Sequence, residues 1–301
     1  MRPERQHVLA RVVSVGRNSV WIAFEDEEDV RLASLRKTAE REALVPGDLV
    51  RATSFGDDQV VVDAREPRTF ALQRTTAGGR TKTMAANIDG IAIVVAFARP
   101  SPHLAMIDEL IAFAELHGLT ARLIFTKPDL AEPADLEAIV PLYARLGYAT
   151  LVANLKTGEG TGAIESAFAG TQTLLIGQSG VGKSSLFRAL GGPGAVGDVS
   201  KAGRGKQTTT TGRLHRFADG FLIDSPGVGD FTLAAVVPAE LSLGFVEFGP
   251  LQGTCRFADC SHRDEPGCAI AAAVAEGAIA ASRYASYRGI LERPRPPAWD
   301  L

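Results

Sequence analysis

Residues 177–184 read Gly-Gln-Ser-Gly-Val-Gly-Lys-Ser, the G-x-x-x-x-G-K-[ST] pattern of a phosphate-binding loop. Gly177, Gly180 and Gly182 let the backbone turn tightly, so that successive N–H groups converge on phosphate oxygens. Lys183 then reaches the β- and γ-phosphates, and the Ser184 hydroxyl ligates Mg²⁺. Gln178, Ser179, Val181 and Ser185 complete the stretch expected to contact nucleotide. The apolar run Leu174-Leu175-Ile176 precedes the loop and a helical stretch follows it, which predicts a strand-to-helix junction.

A second constellation gathers all three cysteines of the chain, Cys255, Cys260 and Cys268, around His262. A disulfide framework would scatter an even number of cysteines. The spacing C-x4-C-x-H-x5-C instead offers three thiolates and one imidazole to a single tetrahedral ion. Zinc prefers these ligands, and four protein ligands make a closed, structural site. The alternative is three buried cysteines beside an unrelated histidine.

Two short segments frame the phosphate loop. Thr126-Lys127-Pro128-Asp129 resembles the guanine-reading tetrad of GTPases, and Asp224-Ser225-Pro226-Gly227 resembles their magnesium and γ-phosphate element. The Asp129 carboxylate would accept from the ring N–H and the exocyclic amine of guanine, donors that adenine does not present there. Lys127 would pack along the base, and Thr126 stands where asparagine is usual. Asp224 would hold Mg²⁺ through water, and the Gly227 N–H would touch the γ-phosphate. The basic, Thr-rich segment Arg204-Gly205-Lys206-Gln207-Thr208-Thr209-Thr210-Thr211 fits a first switch, with Thr208 or Thr209 completing the Mg²⁺ shell. Val228 follows Gly227, where many GTPases carry a water-orienting glutamine, so the catalytic polar group must come from elsewhere. In ordinary GTPases the phosphate loop comes first and the guanine reader last. Here the reader comes first, which predicts a circularly permuted domain. Permutation is tolerable because domain termini usually lie at the surface and often close together.

These residues need a sheet to hold them. From about residue 84 strands alternate with helices, the pattern of a doubly wound parallel sheet that binds ligands beyond its carboxyl edge. Residues 90–98 read as a buried strand, 102–117 as a helix and 121–125 as the strand that delivers Thr126. Before it, residues 1–70 read as five short strands separated by turns, for which an OB-fold barrel is the leading candidate. Trp21 and Phe24 fit either base stacking or the barrel core. After Asp230 come the cysteine cluster and two helices, 268–276 and 279–291. At 301 residues the chain is long enough for two or three domains. The division expected is 1–72 for an RNA-binding OB-fold, 73–235 for the permuted GTPase domain and 236–301 for a zinc-binding domain.

The hydrophobic content of 46% supports buried cores, yet no apolar run approaches a membrane span and the N-terminus lacks a signal-peptide core. A soluble, cytoplasmic chain with no membrane partner is expected. The net charge of −3 excludes a polycation. Basic stretches at 201–216 and from Arg65 to Lys82, the latter read as an interdomain linker, are candidate RNA contacts.

Taken together, the motifs closely resemble the circularly permuted, ribosome small-subunit-dependent GTPases of the RsgA/YjeQ family, over essentially the whole chain. Cys-Arg-Phe-Ala-Asp-Cys-Ser-His from residue 255 and Gly-Ala-Ile-Ala-Ala-Ser-Arg-Tyr from residue 277 carry the C-terminal part of the likeness. The resemblance implies an α/β GTPase domain with an OB barrel and a helical zinc module, binding GTP, Mg²⁺ and one structural Zn²⁺. It also implies late maturation of the small ribosomal subunit as the task, rRNA as a ligand, stimulation by the subunit and action as a monomer. The chain departs from the family pattern at Gln207, where histidine is usual and implicated in hydrolysis; glutamine also orients water. Asn154-Leu155 replace the base-lining Ser-Ala pair, leaving a backbone N–H of that loop for guanine O6. Other readings are a non-catalytic GTP-binding rRNA adaptor and a GTP-gated zinc-handling protein.

Overall fold

The computed structural model describes residues 5–16, 19–24, 30–36, 43–55, 59–75, 81–190, 213–217, 219–224 and 238–293. Five strands, β1 (Arg5–Val15), β2 (Ser19–Phe24), β3 (Val30–Leu35), β4 (Leu49–Phe55) and β5 (Val60–Arg65), close into a barrel in the order β1-β2-β3-β5-β4. β3 and β5 run parallel, with Ala33 opposite Val60, while the other pairs are antiparallel. That is the strand order of an OB-fold. Alternation drives it: Val20, Ile22 and Phe24 of β2 point inward with Ala10, Val12, Val50, Ala52 and Val62. Phe24 is therefore a core residue, and Trp21 is half-buried.

β6 (Ala71–Thr75) and β7 (Thr81–Ala86) pair as a two-stranded antiparallel sheet. The basic stretch read as an interdomain linker thus contains ordered strands, and Arg68 within it is committed elsewhere. Its Nε and Nη2 donate to Asp48 Oδ1 and Oδ2 at 2.6 and 2.8 Å, and Asp48 is fully buried. A buried carboxylate needs such a partner, so Arg68 holds the barrel together and is not a spare cation for RNA.

The remaining strands are β8 (Gly90–Ala96), β9 (Thr120–Thr126), β10 (Ala149–Ala153), β11 (Gln172–Ile176), β12 (Arg213–Phe217) and β13 (Gly220–Asp224). β10, β9 and β8 lie side by side in that order, and so do β11, β13 and β12. β8, β9 and β10 are mutually parallel, as are β11 and β13; β12 is antiparallel to β13. β8 is buried at every position, which is why it reads as a continuous apolar run. The helices are α1 (Leu104–Leu116), α2 (Pro133–Arg145), α3 (Thr161–Phe168), α4 (Lys183–Ala189), α5 (Pro238–Leu241), α6 (Ala269–Ala275) and α7 (Ala281–Leu291). Among the described residues no helix is long and apolar enough to cross a membrane.

The chain divides into two compact units: Met1–Asp89, Thr161–Ile176 and Lys183–Val228 in the first, and Gly90–Gly160, Gly177–Gly182 and Gly229–Leu301 in the second. In the first, Gln172 knits barrel to strand: its Nε2 donates to Ala86 O at 2.6 Å and its Oε1 accepts from Arg11 Nη1 at 2.8 Å. Gly47 (φ +91°) lies so close that a Cβ would strike the Ala86 carbonyl and the Gln172 amide. Arg11 and Arg216 both lie over the Phe221 ring, 5.2 and 5.1 Å from its centre, and Arg216 also donates to Phe24 O. In the second unit, α7 packs on α1 through a fully buried Arg283. This guanidinium meets Asp108 Oδ1 at 2.8 Å and Glu247 Oε1 at 2.7 Å, and lies over the Phe245 ring. Burial raises the Asp108 carboxyl, with Arg283 pulling the other way; Tyr143 also donates to it at 2.8 Å.

Candidate guanine-nucleotide and metal sites

β9 ends at Thr126 and hands over to a turn in which Lys127 adopts a left-handed conformation (φ 56°), followed by the 3-10 turn Pro128–Leu130 that carries Asp129. Thr126 is fully buried. Its hydroxyl donates to Val181 O at 2.6 Å, with Val95 O at 3.2 Å. Lys127 Nζ donates to Arg99 O at 2.5 Å, Gly180 O at 2.8 Å and Ala98 O at 3.3 Å. The Thr126 and Lys127 side chains thereby tie the segment 126–129 to backbone carbonyls of the loop Gly177–Gly182. Asp129 keeps about a third of its side chain exposed, 31%, and its Oδ2 accepts from Lys156 Nζ at 2.8 Å. This bond, and the charge behind it, hold the Asp129 carboxyl below the ordinary range, so it is an acceptor at neutral pH.

The phosphate loop fits an anion. Gly177 (φ +153°) sits so close to the Val94 carbonyl that any Cβ would collide with it, and Gly180 and Gly182 hold φ of +80° and +104°. A Cβ on Gly182 would also approach Leu155 and Thr126. Each glycine is used for space or for a conformation that L side chains rarely adopt. Val181 is buried, whereas Gln178 and Ser179 are more open.

In the first unit Lys183 opens α4 and Asp224 closes β13. Burial lowers the Lys183 ammonium and raises the Asp224 carboxyl, and each opposes the other's shift through its charge. A half-buried ammonium beside a half-buried acid is suited to a polyanion with its divalent cation. Ser184 and Ser185 lie in the first turn of α4. Gln207, Thr208, Thr209 and Gly227, with Arg204, Lys206 and Val228, lie outside the described residues. Of the 201–216 basic run, Arg213 and Arg216 are placed on β12, where Arg216 is engaged as above.

The loop Asn154–Gly160 follows β10. Asn154 Oδ1 accepts from Lys156 N at 3.1 Å, Asn154 N donates to Glu159 O at 2.9 Å and Gly158 N to Asn154 O at 2.9 Å. The Lys156 N–H is thus used within the loop. Lys156 is the site-adjacent residue that sequence reasoning missed; its only signal was a cation in a Gly-bounded turn.

In the C-terminal module one ligand atom each from Cys255, Cys260, His262 and Cys268 lies within 4.8 Å of the others. His262 Nδ1 faces Cys255 Sγ at 3.5 Å and Cys268 Sγ at 3.6 Å. The donor set fits a soft cation on two counts. Burial keeps His262 neutral by lowering its pKa, as a ligand requires, and Ala269 N and Ala271 N donate to Cys255 Sγ and Cys268 Sγ at 3.3 and 3.4 Å. Desolvation pushes the Cys260 thiol up to about 12, with Cys255 and Cys268 adding to it, so three thiolates here need a cation among them. Outside the ligands, Glu265 accepts from Ser261 N and Arg263 N, both at 2.8 Å, and Tyr284 and Tyr287 donate to His262 O and Ser261 O, both at 2.9 Å. These bonds fix the turn that presents His262.

A reordered phosphate-loop domain with its base reader ahead of the loop, an OB barrel before it and a Cys₃His module after it defines a class: the circularly permuted GTPases. The RsgA GTPase family model matches residues 65–234. The small ribosomal subunit biogenesis GTPase RsgA of Chromohalobacter salexigens is 40% identical over 297 residues, spanning 96% of this chain and 86% of that protein. The protein of the same name from Azotobacter vinelandii is 43% identical over 256 residues, spanning 83% and 74%. The crystal structure of YjeQ from Thermotoga maritima superposes with a TM-score of 0.77 at 29% identity, over 96% of this chain and all of that one (100%). YloQ, a circularly permuted GTPase, shares the fold with a TM-score of 0.76 at 22% identity, over 97% and 98% of the two chains. The chain belongs to the RsgA GTPase family.

Proposed function

We propose that this chain binds GTP through the loop 177–185 and the tetrad 126–129, hydrolyses it to GDP, and uses the cycle in maturation of the small ribosomal subunit. The observation that carries the reading is the bonding of Thr126 and Lys127 to the carbonyls of Val181 and Gly180, which makes base reader and phosphate loop one device. Asp129 accepts the guanine N1–H and C2 amine, and a backbone N–H of the Asn154-Leu155 pair reaches O6. Lys183 holds the β- and γ-phosphates; Ser184, Thr209 or Thr208, and Asp224 would hold Mg²⁺, and the Gly227 N–H meets the γ-phosphate. Mg²⁺, when bound, neutralises charge that builds on the phosphate oxygens. Gln207 orients the attacking water, the γ-phosphoryl group passes to that water, and GDP leaves.

The Cys₃His cluster binds one Zn²⁺ per chain as a closed structural site, which disfavours a zinc-transfer role. The chain works as a monomer in the cytoplasm, divided at about residues 72 and 235 into barrel, GTPase domain and zinc module, with rRNA as a ligand. Exchange of base preference tests the site: Asp129→Asn, whose amide donates to a 2-oxo group, should prefer xanthosine triphosphate over GTP, whereas the wild type prefers GTP over ATP in competition. Equal binding of ATP by the wild type would sink the assignment of the tetrad.

A further inference from the structure

We infer that Lys156 is a positioning residue for guanine recognition, one that fixes the Asp129 carboxylate in the orientation that accepts two donors from the base. The inference rests on the assignment of Asp129 as the guanine reader. The ammonium sits 2.8 Å from Asp129 Oδ2, across two separate loops. Lys156 reaches it because its own backbone is fixed: the Asn154 side chain accepts its N–H at 3.1 Å, and the bridge between Asn154 and Glu159 closes the turn. Gly160 (φ +82°) seals the loop where a Cβ would collide with the Val152 carbonyl.

Stability alone gives little reason for this pair. Lys156 is 71% exposed and Asp129 31%. An exposed ion pair of this kind adds little to stability, because water screens it and both side chains lose freedom. Its geometric effect is larger, because the torsion that turns an aspartate carboxylate is broad and weakly held by itself. A carboxylate has about four acceptor positions, so Oδ2 can keep Lys156 and still take a donor from the base. Pinning Oδ2 leaves the plane of the carboxylate set before guanine arrives, and preorganisation removes an ordering cost from binding. Two parallel bonds from N1–H and the C2 amine depend on that plane; a single bond from N1–H depends on it less.

The test uses the full chain and two nucleotides, GDP and inosine diphosphate, the latter lacking the C2 amine. Lys156→Met, which keeps the stem and removes the charge, should weaken GDP about 3–10-fold and inosine diphosphate less, narrowing the preference between them. Lys156→Arg should restore the preference, since it returns a cationic donor to the same carboxylate. In GTP hydrolysis the loss should fall on KM rather than kcat. A Met variant with wild-type affinity for both nucleotides would overturn the inference, as would an equal loss for both that Arg does not restore, which would mark general damage to the loop. The wild-type arm reports separately on the underlying assignment: no preference for GDP over ADP would remove Asp129 as the reader, and Lys156 with it.

Discussion

Thr126 stands where the guanine-reading tetrad normally carries asparagine, and its hydroxyl is buried between the carbonyls of Val181 and Val95. One O–H has one proton, and the shorter contact, 2.6 Å to Val181 O, takes it. Thr126→Val keeps the shape and removes the donor, leaving a buried carbonyl of the phosphate loop unpaired at a cost of about 1–3 kcal/mol. GDP affinity in a calorimetric titration should fall roughly tenfold for this variant; an unchanged affinity would mean that the loop is held without Thr126. At this scale the motifs were legible because each is local: Lys183, Asp129 and the cysteines declare themselves by spacing. Arg68 and Lys156 were not, because each is defined by a carboxylate far away in sequence, Asp48 and Asp129. Charge alone cannot distinguish a cation that holds a buried acid from one that faces solvent.

Elements place these residues, and the C-terminal helices do so through two linked devices. A Zn²⁺ held by the Cys₃His cluster would fix the turn before α6, so Cys260→Ser or His262→Ala should lose the zinc and the helical signal of residues 238–293, while GDP affinity changes little, because structural zinc supplies folding free energy directly. Metal analysis together with circular dichroism reads both. Full zinc occupancy in a variant lacking all three cysteines would contradict it. Arg283 fixes α7 to α1. Arg283→Met leaves Asp108 and Glu247 buried without their partner and should destabilise the chain by about 3–5 kcal/mol at neutral pH. Without that cation, burial holds the Asp108 carboxyl above its unfolded value, so the folded state binds the proton more tightly. The variant's stability should therefore be greatest in acid and decline as pH rises past about 4, narrowing the gap to wild type at low pH. Denaturant melts at several pH values check it; a gap that widens in acid would contradict this account.

Element boundaries came close from pattern alone. Residues 102–117 resolve as α1 (Leu104–Leu116), and 279–291 as α7 (Ala281–Leu291). The β6–β7 pair was missed because only one end of it is apolar: Leu72, Ala85 and Ala86 are buried, while 73–75 and 81–83 are unbroken polar runs. A strand that short of buried side chains carries no periodic signal.

The whole chain carries a barrel, a phosphate loop on parallel strands and a Cys₃His cluster. In the first unit the barrel reaches β13 directly, through Arg11 over Phe221, three positions ahead of Asp224 in the same strand. The order of motifs made the permutation legible without coordinates; the coupling of barrel to strand was not, since it depends on side chains from β1, β12 and β13 meeting. The central claim is that this chain is a GTPase whose hydrolysis answers to the small ribosomal subunit. Turnover of GTP under multiple-turnover conditions, with and without purified small subunits, tests it most directly. Unassisted turnover should be slow, on the order of 10⁻⁴–10⁻² s⁻¹, and the subunit should raise it roughly 10²–10⁴-fold. Gln207→Ala should keep nucleotide and subunit binding and lose most of that rise, whereas Lys183→Ala should lose nucleotide binding itself. Turnover that the subunit leaves unchanged, in a chain shown to bind GTP, would contradict the account.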